Sequence, residues 1–330
     1  MEQKISGVKP LREVLGDDLS SGILKLQAEC HPDRHPQFQA EASTLYSRVS
    51  LLADSIRTPA ILKGSKKEYS VAGPFAVGDI ADLYFGWSGD SDYIVKISRV
   101  DGGHSILEKE MEHIKKVNGA AFSYEEEVAS RGQKSFLTHY FPVPSDSFLA
   151  KDKIQKRVNT FVLPSGYYPL SLVSKRYPKL DGRHIGWIFR RLLMGLNFIH
   201  DQGIVHGAVL PSHILINPET HGVMLVGWGQ SVSHETQIRF ISKEYRDWYP
   251  LEVVNKKPAT FSTDIYMAAY SMAKAMGTDG PPALQTFFKA CCLPGQKMRI
   301  GGESAGVVRE EFTETLSDVY GEPRFALLTM

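Results

Sequence analysis

The chain has 330 residues, of which 42% are hydrophobic and 23% are charged, and its formal net charge is +1. These proportions are typical of a protein that folds around a buried core, and they exclude a disordered or low-complexity chain. A net charge so close to zero provides no overall field that would attract nucleic acid or an anionic membrane surface. We therefore expect neither of these as a partner.

Cysteine content and apolar runs bear on the location of the protein. Cys30, Cys291 and Cys292 are too few, and two of them too close together, to form a disulfide framework, which favours a reducing compartment. The sequence contains no apolar signal segment and no apolar run as long as a membrane span. These features predict a cytoplasmic protein.

Two apolar stripes predict a pair of helices in the first 60 residues. Ile23, Leu26 and Cys30 form the shorter stripe. The longer stripe has steps of three and four residues and consists of Phe38, Ala42, Leu45, Val49, Leu52 and Ile56. Between the stripes lies HPDRHP, whose two prolines interrupt any continuous helix. The sequence thus predicts a helical module over residues 1–60 with a stiff loop at its tip, followed by a linker at 61–68, where ILKGSKKE is short and polar.

The helical module resembles a J-domain, the module that recruits DnaK-type chaperones. The resemblance runs from about Pro10 to Pro59, with LREVLG as a first helix, LSSGILKLQAEC as a second and FQAEASTLYSRVSLLADSI as a third. His31, Pro32 and Asp33 match the signature tripeptide of the family. The resemblance implies that this tripeptide binds a DnaK-type chaperone and triggers its ATP hydrolysis.

Charge on the second helix departs from the family pattern. Members of the family carry several basic residues there, whereas this helix has Lys25 alone, opposed by Glu29 and preceded by two aspartates, with Arg34 in the loop as partial compensation. Lys25 and Arg34 join the tripeptide as candidate chaperone-binding residues. Two other interpretations stay open. The loop could be an ordinary helix connection, where proline and aspartate are common. It could also be a docking module that stimulates no chaperone, because the reduced basic charge weakens electrostatic steering.

After the linker the pattern changes to strands. Leu83–Trp87 and Tyr93–Ile97 are short β-rich runs separated by SGDSD, which predicts a hairpin. A helix follows that carries Leu107, Met111, Ile114 and Val117, and from Gly182 onward the chain reads as mostly helical. A small strand-rich part before a larger helical part predicts two lobes, residues 69–164 and 165–330.

From about Tyr69 to its end the chain resembles protein kinases. FAVGDIADLY stands where the family has its glycine-rich phosphate-covering loop, but Ala76 and Ala81 replace two glycines and only Gly78 remains. YIVK places Lys96 where the family has its phosphate-pairing lysine, and LEKEMEHIKKV offers Glu110 as the ion-pair partner. The resemblance makes Gly78, Lys96 and Glu110 the candidate nucleotide-binding residues.

The segment RRLLMGLNFIHDQGIVHGAVLPSHILINPETHGVMLVGWG resembles the catalytic loop and magnesium-binding segment of kinases. Where the family has H-R-D, this chain has His206, Gly207 and Ala208. His213 stands in the place of the metal-binding asparagine, and Gly227 in the place of the metal-binding aspartate. All three degenerate positions, Ala208, His213 and Gly227, lack the family's chemistry, so we expect no catalytic residue and no bound metal.

Other landmarks of the resemblance are architectural. YPLE supplies Glu252, at the end of the activation segment, and KMRI supplies Arg299 as its expected buried partner. FSTDIYMAAYSM supplies Asp264, which the resemblance implies braces the backbone of the catalytic loop next to His206. These residues predict a folded C-terminal lobe.

The sequence therefore predicts an α+β, two-lobed protein-kinase-like fold over residues 69–330, preceded by a small all-α J-domain-like helical hairpin. The expected function is that of a pseudokinase, a regulatory or scaffold protein that recruits a DnaK-type chaperone to an unidentified client or assembly. No cofactor is expected, with weak metal-independent ATP binding as the alternative. Two other functions stay open: an atypical nucleotide-dependent transferase with relocated acids such as Asp201 or Asp247, and a structural docking component of a larger assembly.

Overall fold

The computed structural model describes residues 19–150 and 155–330, and the described part starts with two helices. Helix α1 spans Leu19–Glu29 and α2 spans Gln39–Arg57, and the two pack against each other. Two short 3-10 turns, Pro32–Arg34 and Pro36–Phe38, connect them. The prolines stand at the first position of each turn, where a missing backbone N–H costs nothing. The predicted first helix, LREVLG, lies outside the described residues.

The apolar stripes predicted for these two helices are buried as expected, with one exception. Ile23, Leu26 and Cys30 of the shorter stripe are in the core, as are Ala42, Val49 and Ile56 of the longer one. The prediction for Phe38 was wrong, because its side chain is 63% exposed. Helix α2 begins one residue after Phe38, which belongs to the preceding 3-10 turn and so leaves the helix face.

A six-stranded antiparallel sheet follows, in the order β1-β2-β3-β4-β6-β5. Its strands are β1 Ala60–Lys63, β2 Glu68–Val77, β3 Ala81–Ser88, β4 Ser91–Ser98, β5 Pro144–Ala150 and β6 Lys156–Val162. Strands β3 and β4 confirm the predicted hairpin, and Ser88 pairs with Ser91 across a two-residue turn in which Gly89 has φ 57°. A positive φ of this kind is the reason that short hairpin turns favour glycine.

The expected linker at 61–68 is replaced in part by a strand. Residues 60–63 form β1, which pairs with β2 in a register that joins Ala60 to Val71 and Lys63 to Glu68. Only residues 64–67 remain between the two strands. The correction has a physical cause: a strand at a sheet edge is held by hydrogen bonds to its neighbour, which composition alone does not reveal.

The helical pair packs directly on this sheet. Ala72 of β2 belongs to the same buried cluster as the helix residues, and Phe85 and Trp87 of β3 pack against that cluster. Leu83 lies opposite Lys96 in the β3–β4 register, so Leu83, Phe85 and Trp87 share the face of the sheet that carries Lys96. The other face carries a separate cluster that includes Tyr69, Tyr93 and Val95.

The remaining elements are mostly helical. They are α3 Gly103–Ser130, β7 Tyr168–Pro169, α4 Leu170–Arg176, α5 Gly182–Asp201, β8 Ile204–Val205, β9 Ile214–Asn217, β10 Gly222–Leu225, β11 Val232–Ser233, β12 Thr236–Gln237, α6 Leu251–Val254, β13 Pro258–Ala259, α7 Phe261–Met276, α8 Pro282–Cys291 and α9 Ala305–Tyr320. Helix α5 is buried along one face, and α7 and α9 both pack against it. Phe189 of α5, Phe288 of α8 and Phe312 of α9 meet at ring-centroid distances of 4.8–5.6 Å.

The described residues fall into two units whose boundary differs from the predicted lobe boundary. Residues up to Met111 and Val143–Gly166 form the first unit, and Glu112–Pro142 with Tyr167–Met330 form the second. The expected first lobe, 69–164, thus gives residues 112–142 to the second unit. Phe141 explains this assignment, because its ring lies 5.9 Å from the rings of both Phe198 and Trp228.

Across residues 19–150 and 155–330, no helix combines the length and apolar character needed to cross a membrane.

Candidate functional site

The His31–Pro32–Asp33 loop lies between α1 and α2 with its polar groups accessible. The side chain of Asp33 is 84% exposed and that of His31 is 44% exposed. The backbone N–H of Asp33 donates to Nδ1 of His31 at 3.3 Å, and the ring of Tyr46 from α2 meets the imidazole edge-on at 5.1 Å. Because Nδ1 accepts a hydrogen bond, the neutral ring carries its proton on Nε2. The loop presents an imidazole whose Nδ1 lies 3.5 Å from the exposed carboxylate of Asp33.

The expected basic residues near this loop are available to a partner. Lys25 on α1 and Arg34 in the first 3-10 turn are both exposed. His35, which the sequence analysis did not single out, holds the loop against α1 through a 2.8 Å contact from its Nε2 to the carbonyl oxygen of Glu29. The structure thus places the tripeptide and Arg34 on one short connection between two packed helices, and Lys25 on the helix before it.

Lys96 and Glu110 form an ion pair in the first unit. The Nζ atom of Lys96 lies 2.6 Å from Oε1 of Glu110, and the side chains are 16% and 2% exposed. Lys96 is on β4 and Glu110 on α3, whose residues Leu107 and Met111 are buried beside it. Burial of a carboxylate is tolerated only when charge and hydrogen bonds compensate it, and here both are present.

Asn159 is the residue of this site that the sequence analysis missed. It lies on β6 directly opposite Lys96, fully buried, and its Nδ2 donates to Oε2 of Glu110 at 3.1 Å and to the carbonyl oxygen of Leu107 at 2.8 Å. Glu110 is therefore held by a cation on one oxygen and an amide on the other. Strand β6 gave no signal for this role, because the pairing of Lys96 with Asn159 depends on sheet register.

Gly78 stands at the turn between β2 and β3, where the backbone closes tightly. The N–H of Gly78 donates to the carbonyl oxygen of Ala81 at 3.1 Å, and the guanidinium of Arg99 donates to the carbonyl oxygen of Gly78 at 3.2 Å. A Cβ at this position would lie 2.6 Å from the Ala81 oxygen, so the close turn requires glycine. The retained glycine is thus explained by local backbone packing, without reference to a ligand.

In the second unit, Asp264 organises the loop that begins at His206. Its Oδ2 accepts hydrogen bonds from the backbone N–H of His206 at 2.7 Å and from Nε2 of His200 at 3.0 Å, and its Oδ1 accepts from the N–H of Gly207 at 2.8 Å. Asp264 is completely buried. A carboxylate with several such donors fixes the backbone it binds, which is the architectural role expected of it.

His206 is enclosed within the same region. It is fully buried, its Nδ1 accepts from the N–H of Ala208 at 3.3 Å, and the ring of Trp228 lies edge-on at 5.0 Å. Burial disfavours the charged imidazolium and lowers the pKa of His206 to about 3. The ring is therefore neutral near neutral pH and acts as a packing and hydrogen-bonding group.

Ala208 and His213 contact each other where the kinase resemblance expects a base and a metal ligand. Ala208 is completely buried, and Nδ1 of His213 donates to its carbonyl oxygen at 2.9 Å. A methyl group accepts no proton, and the Nδ1 of His213 is already used by the loop. Within the described parts of the chain, no group of three or more histidine, cysteine, aspartate or glutamate side chains is arranged to hold a metal ion.

Gly227 occupies a left-handed backbone conformation, with φ 81° and ψ 40°. A Cβ built on it would lie 2.4 Å from atoms of the His213 ring. The next residue, Trp228, is fully buried and donates from its indole nitrogen to the carbonyl oxygen of Leu225 at 2.8 Å. The segment after Gly227 is held by the indole, and Gly227 has no carboxylate where the kinase resemblance expects one.

Asp201 and Asp247, the acids considered for relocated chemistry, are both exposed. Asp201 ends α5, where its Oδ2 accepts from Nδ2 of Asn197 at 3.3 Å. Asp247 lies in the 3-10 turn Arg246–Trp248. No hydrogen bond links either carboxylate to His213 or to the His206 loop in the part of the chain that the structure describes.

Glu252 and Arg299 form a bidentate buried pair. Their carboxylate oxygens and guanidinium nitrogens meet at 2.8 Å and 2.9 Å, and the two side chains are 5% and 0% exposed. The remaining donors of Arg299 reach the carbonyl oxygens of Leu293 and Ser262. The structure thus brings together the two residues that the sequence analysis paired across 47 positions.

Comparisons with known proteins show that parts of the chain are similar to protein kinases. The chain is 26% identical over 128 residues to casein kinase II subunit alpha' of Saccharomyces cerevisiae, which covers 38% of this chain and 36% of that protein. It is 35% identical over 89 residues to a probable serine/threonine-protein kinase of Schizosaccharomyces pombe, 27% of this chain and 10% of that protein. Both matches thus span well under two thirds of the yeast kinases. No protein-family model matches the chain.

A solved structure of vaccinia related kinase 3 has a similar fold. It superposes with a TM-score of 0.63 at 16% sequence identity, over 82% of this chain and 95% of that one. Identity at this level carries information about the fold alone. Together with the sequence matches, the superposition shows that the chain has a protein-kinase-like fold, mixed in helix and sheet, with a curled antiparallel sheet.

Proposed function

We propose that the chain is a catalytically inactive kinase-like scaffold that recruits a DnaK-type chaperone through the His31–Pro32–Asp33 loop. The proposal that the chain is inactive rests on the mutual fit of His213 and Gly227, because the His213 ring fills the space that a side chain at position 227 would need. The proposal that the chain recruits a chaperone rests on the exposed imidazole and carboxylate of the loop.

Loss of the acids would remove most of the rate that such a fold provides. Phosphoryl transfer depends on positioning and on stabilisation of charge, largely by metal ions. Losing a general base costs about 10²–10⁴-fold, and losing a principal electrostatic stabiliser costs about 10²–10³-fold. Buried Ala208 and left-handed Gly227 supply neither function. The ion pair of Lys96 and Glu110 then supports the fold, with weak metal-independent ATP binding as the remaining alternative for it.

Packing of the helical pair supports a role in recruitment. Helices α1 and α2 share a buried cluster with Ala72 of the sheet, and they belong to the same unit as that sheet. A chaperone bound at the loop would therefore be held at a defined place relative to the first unit. The client would be an unidentified protein or assembly that binds the kinase-like body.

The experiment that tests recruitment is the steady-state ATP hydrolysis of a purified DnaK-type chaperone from the source organism, measured with and without the full chain. We expect a stimulation that saturates with the concentration of the chain. Absence of any stimulation, with a known J-domain protein as the positive control, would contradict recruitment and leave a structural docking component.

The proposed lack of catalytic activity is tested separately by incubating the chain with radiolabelled ATP, magnesium or manganese, and generic protein substrates. We expect no phosphate transfer above background. Transfer that disappears in a Lys96→Ala variant would contradict the proposal and favour the atypical transferase. A magnesium-dependent rise in melting temperature with ATP would point in the same direction, because the relocated acids would need a metal ion.

A further inference from the structure

The second unit contains a cavity of about 460 Å³ that none of the functions considered so far uses. It lies between α5, the segment that leads into the 3-10 helix Leu137–Tyr140, the β9–β10 turn and α9. Its lining includes the aromatic residues Phe136, Tyr140 and Trp187, together with His221. The size falls within the range of about 300–1,000 Å³ that is usual for small-molecule sites.

The charge around this cavity is one-sided. Four cationic side chains line it, those of Lys134, Arg190, Arg191 and Arg309. Among the residues that the structure describes, no aspartate or glutamate lines the cavity. In a chain with a net charge of only +1, four cations without an acid around one concave surface make a local anion-attracting site.

The cations also lack partners of their own. Within residues 19–150 and 155–330, the side chains of these four residues make no hydrogen bond or ion pair. For Arg190 the lack is most marked, because its Nε atom is buried and has no acceptor. Arg299 of the same unit shows the usual arrangement of a buried arginine, since all three of its guanidinium nitrogens donate hydrogen bonds to oxygen atoms. Buried donors are almost always satisfied, so the unsatisfied Nε of an arginine that lines a cavity indicates a missing acceptor.

We propose that this cavity binds a small organic polyphosphate. Guanidinium groups match phosphate oxygens with paired hydrogen bonds, and three of the four cations are arginines. Four positive charges exceed what one carboxylate would neutralise, whereas two or more phosphate groups would balance them. The aromatic rings of Phe136 and Trp187 provide apolar surface for the organic part of the ligand. The proposal is independent of chaperone recruitment and involves neither Lys96 nor Glu110.

Isothermal titration of the full chain with sodium tripolyphosphate tests the site, because this probe carries the charge without an organic group. We expect binding of one tripolyphosphate per chain, with sodium sulfate at equal ionic strength giving no comparable heat. An Arg190→Met variant keeps the apolar stem and removes the guanidinium. It should weaken binding by about tenfold or more, as expected for loss of a charge-assisted bidentate contact. Arg309→Met provides an independent variant should Arg190→Met fail to fold.

A matched variant locates the site. Arg183→Met changes an arginine on the same helix that does not line the cavity. It should bind tripolyphosphate as the unmodified chain does. Equal losses in Arg183→Met and Arg190→Met would mean non-specific charge attraction. That result would overturn the proposal, as would absence of binding or tighter binding of a singly phosphorylated peptide than of tripolyphosphate.

Discussion

The imidazole of His213 lies where a side chain on Gly227 would begin. A Cβ on Gly227 would fall 2.4 Å from the Cγ and Cδ2 atoms of the ring, a distance that real Cβ contacts do not reach. The backbone at Gly227 is also left-handed, which an ordinary L-residue adopts only at a cost. Gly227 and His213 therefore fit each other, and an aspartate placed at position 227 alone would clash with the His213 ring.

A Gly227→Ala substitution should lower the free energy of unfolding by more than its backbone conformation explains. The left-handed conformation costs about 1–2 kcal/mol for an L-residue, and displacement of the His213 ring adds about 1–3 kcal/mol. Gly89→Ala is the matched control, because Gly89 has φ 57° and a Cβ there would meet no atom within 4 Å. Urea denaturation of both variants measures the difference. Equal losses in the two variants would show that the ring moves aside at no cost.

Periodicity predicted the helices of this chain because a helix face is a local property. The stripes on α1 and α2 and the β3–β4 hairpin are where the sequence places them. Strand β1 was missed for the opposite reason, because residues 60–63 become a strand only through hydrogen bonds to β2. Phe38 continued the spacing of a helix face, but the turn that contains Pro36 ends after it and delays the helix by one residue.

The residues of the candidate site also differ in whether the sequence could reveal them. Lys96, Glu110, Asp264, Glu252 and Arg299 were found through a resemblance that supplies long-range pairings. Asn159 was not found, because its contact with Glu110 follows from the register of β4 on β6. The steric fit between His213 and Gly227 was equally out of reach, since the sequence shows two replaced positions but not the direction of a ring.

Arg299→Ala should destabilise the chain by about 3–5 kcal/mol, because it leaves the buried carboxylate of Glu252 without its cation. Arg183→Ala is the control: Arg183 pairs with Asp181 at 3.5 Å, and both side chains are more than half exposed. An exposed pair of this kind contributes about 0–1 kcal/mol. Thermal and urea unfolding should separate the two variants clearly. Similar losses would show that Glu252 finds another partner when Arg299 is removed.

The burial of His206 predicts a particular dependence of stability on pH. Its pKa is about 3 in the folded chain, against the ordinary histidine value of 6.5, because burial disfavours the imidazolium. Between these values the unfolded chain binds a proton that the folded chain does not, so stability is fully present above pH 6.5 and falls as the pH is lowered. One such proton contributes about 1.4 kcal/mol per pH unit. His206→Phe, which keeps a ring beside Trp228, should therefore show a shallower loss of stability between pH 6.5 and 4. Parallel curves would contradict this assignment.

A His31→Gln substitution should separate folding from chaperone recruitment. The side chain lies in an exposed loop, and surface changes shift stability by less than about 0.5 kcal/mol, so the melting temperature should stay nearly unchanged. Stimulation of DnaK-type ATP hydrolysis should be lost, because glutamine has no imidazole ring to present at the exposed loop. His35→Gln is the matched control, since His35 lies in the same connection and contacts the carbonyl oxygen of Glu29. We expect it to keep most of the stimulation. Lys25→Glu should give an intermediate, salt-dependent loss, because Lys25 is exposed on α1 and would steer the encounter. A His31→Gln variant that stimulates as well as the unmodified chain would show that any recruitment uses another surface.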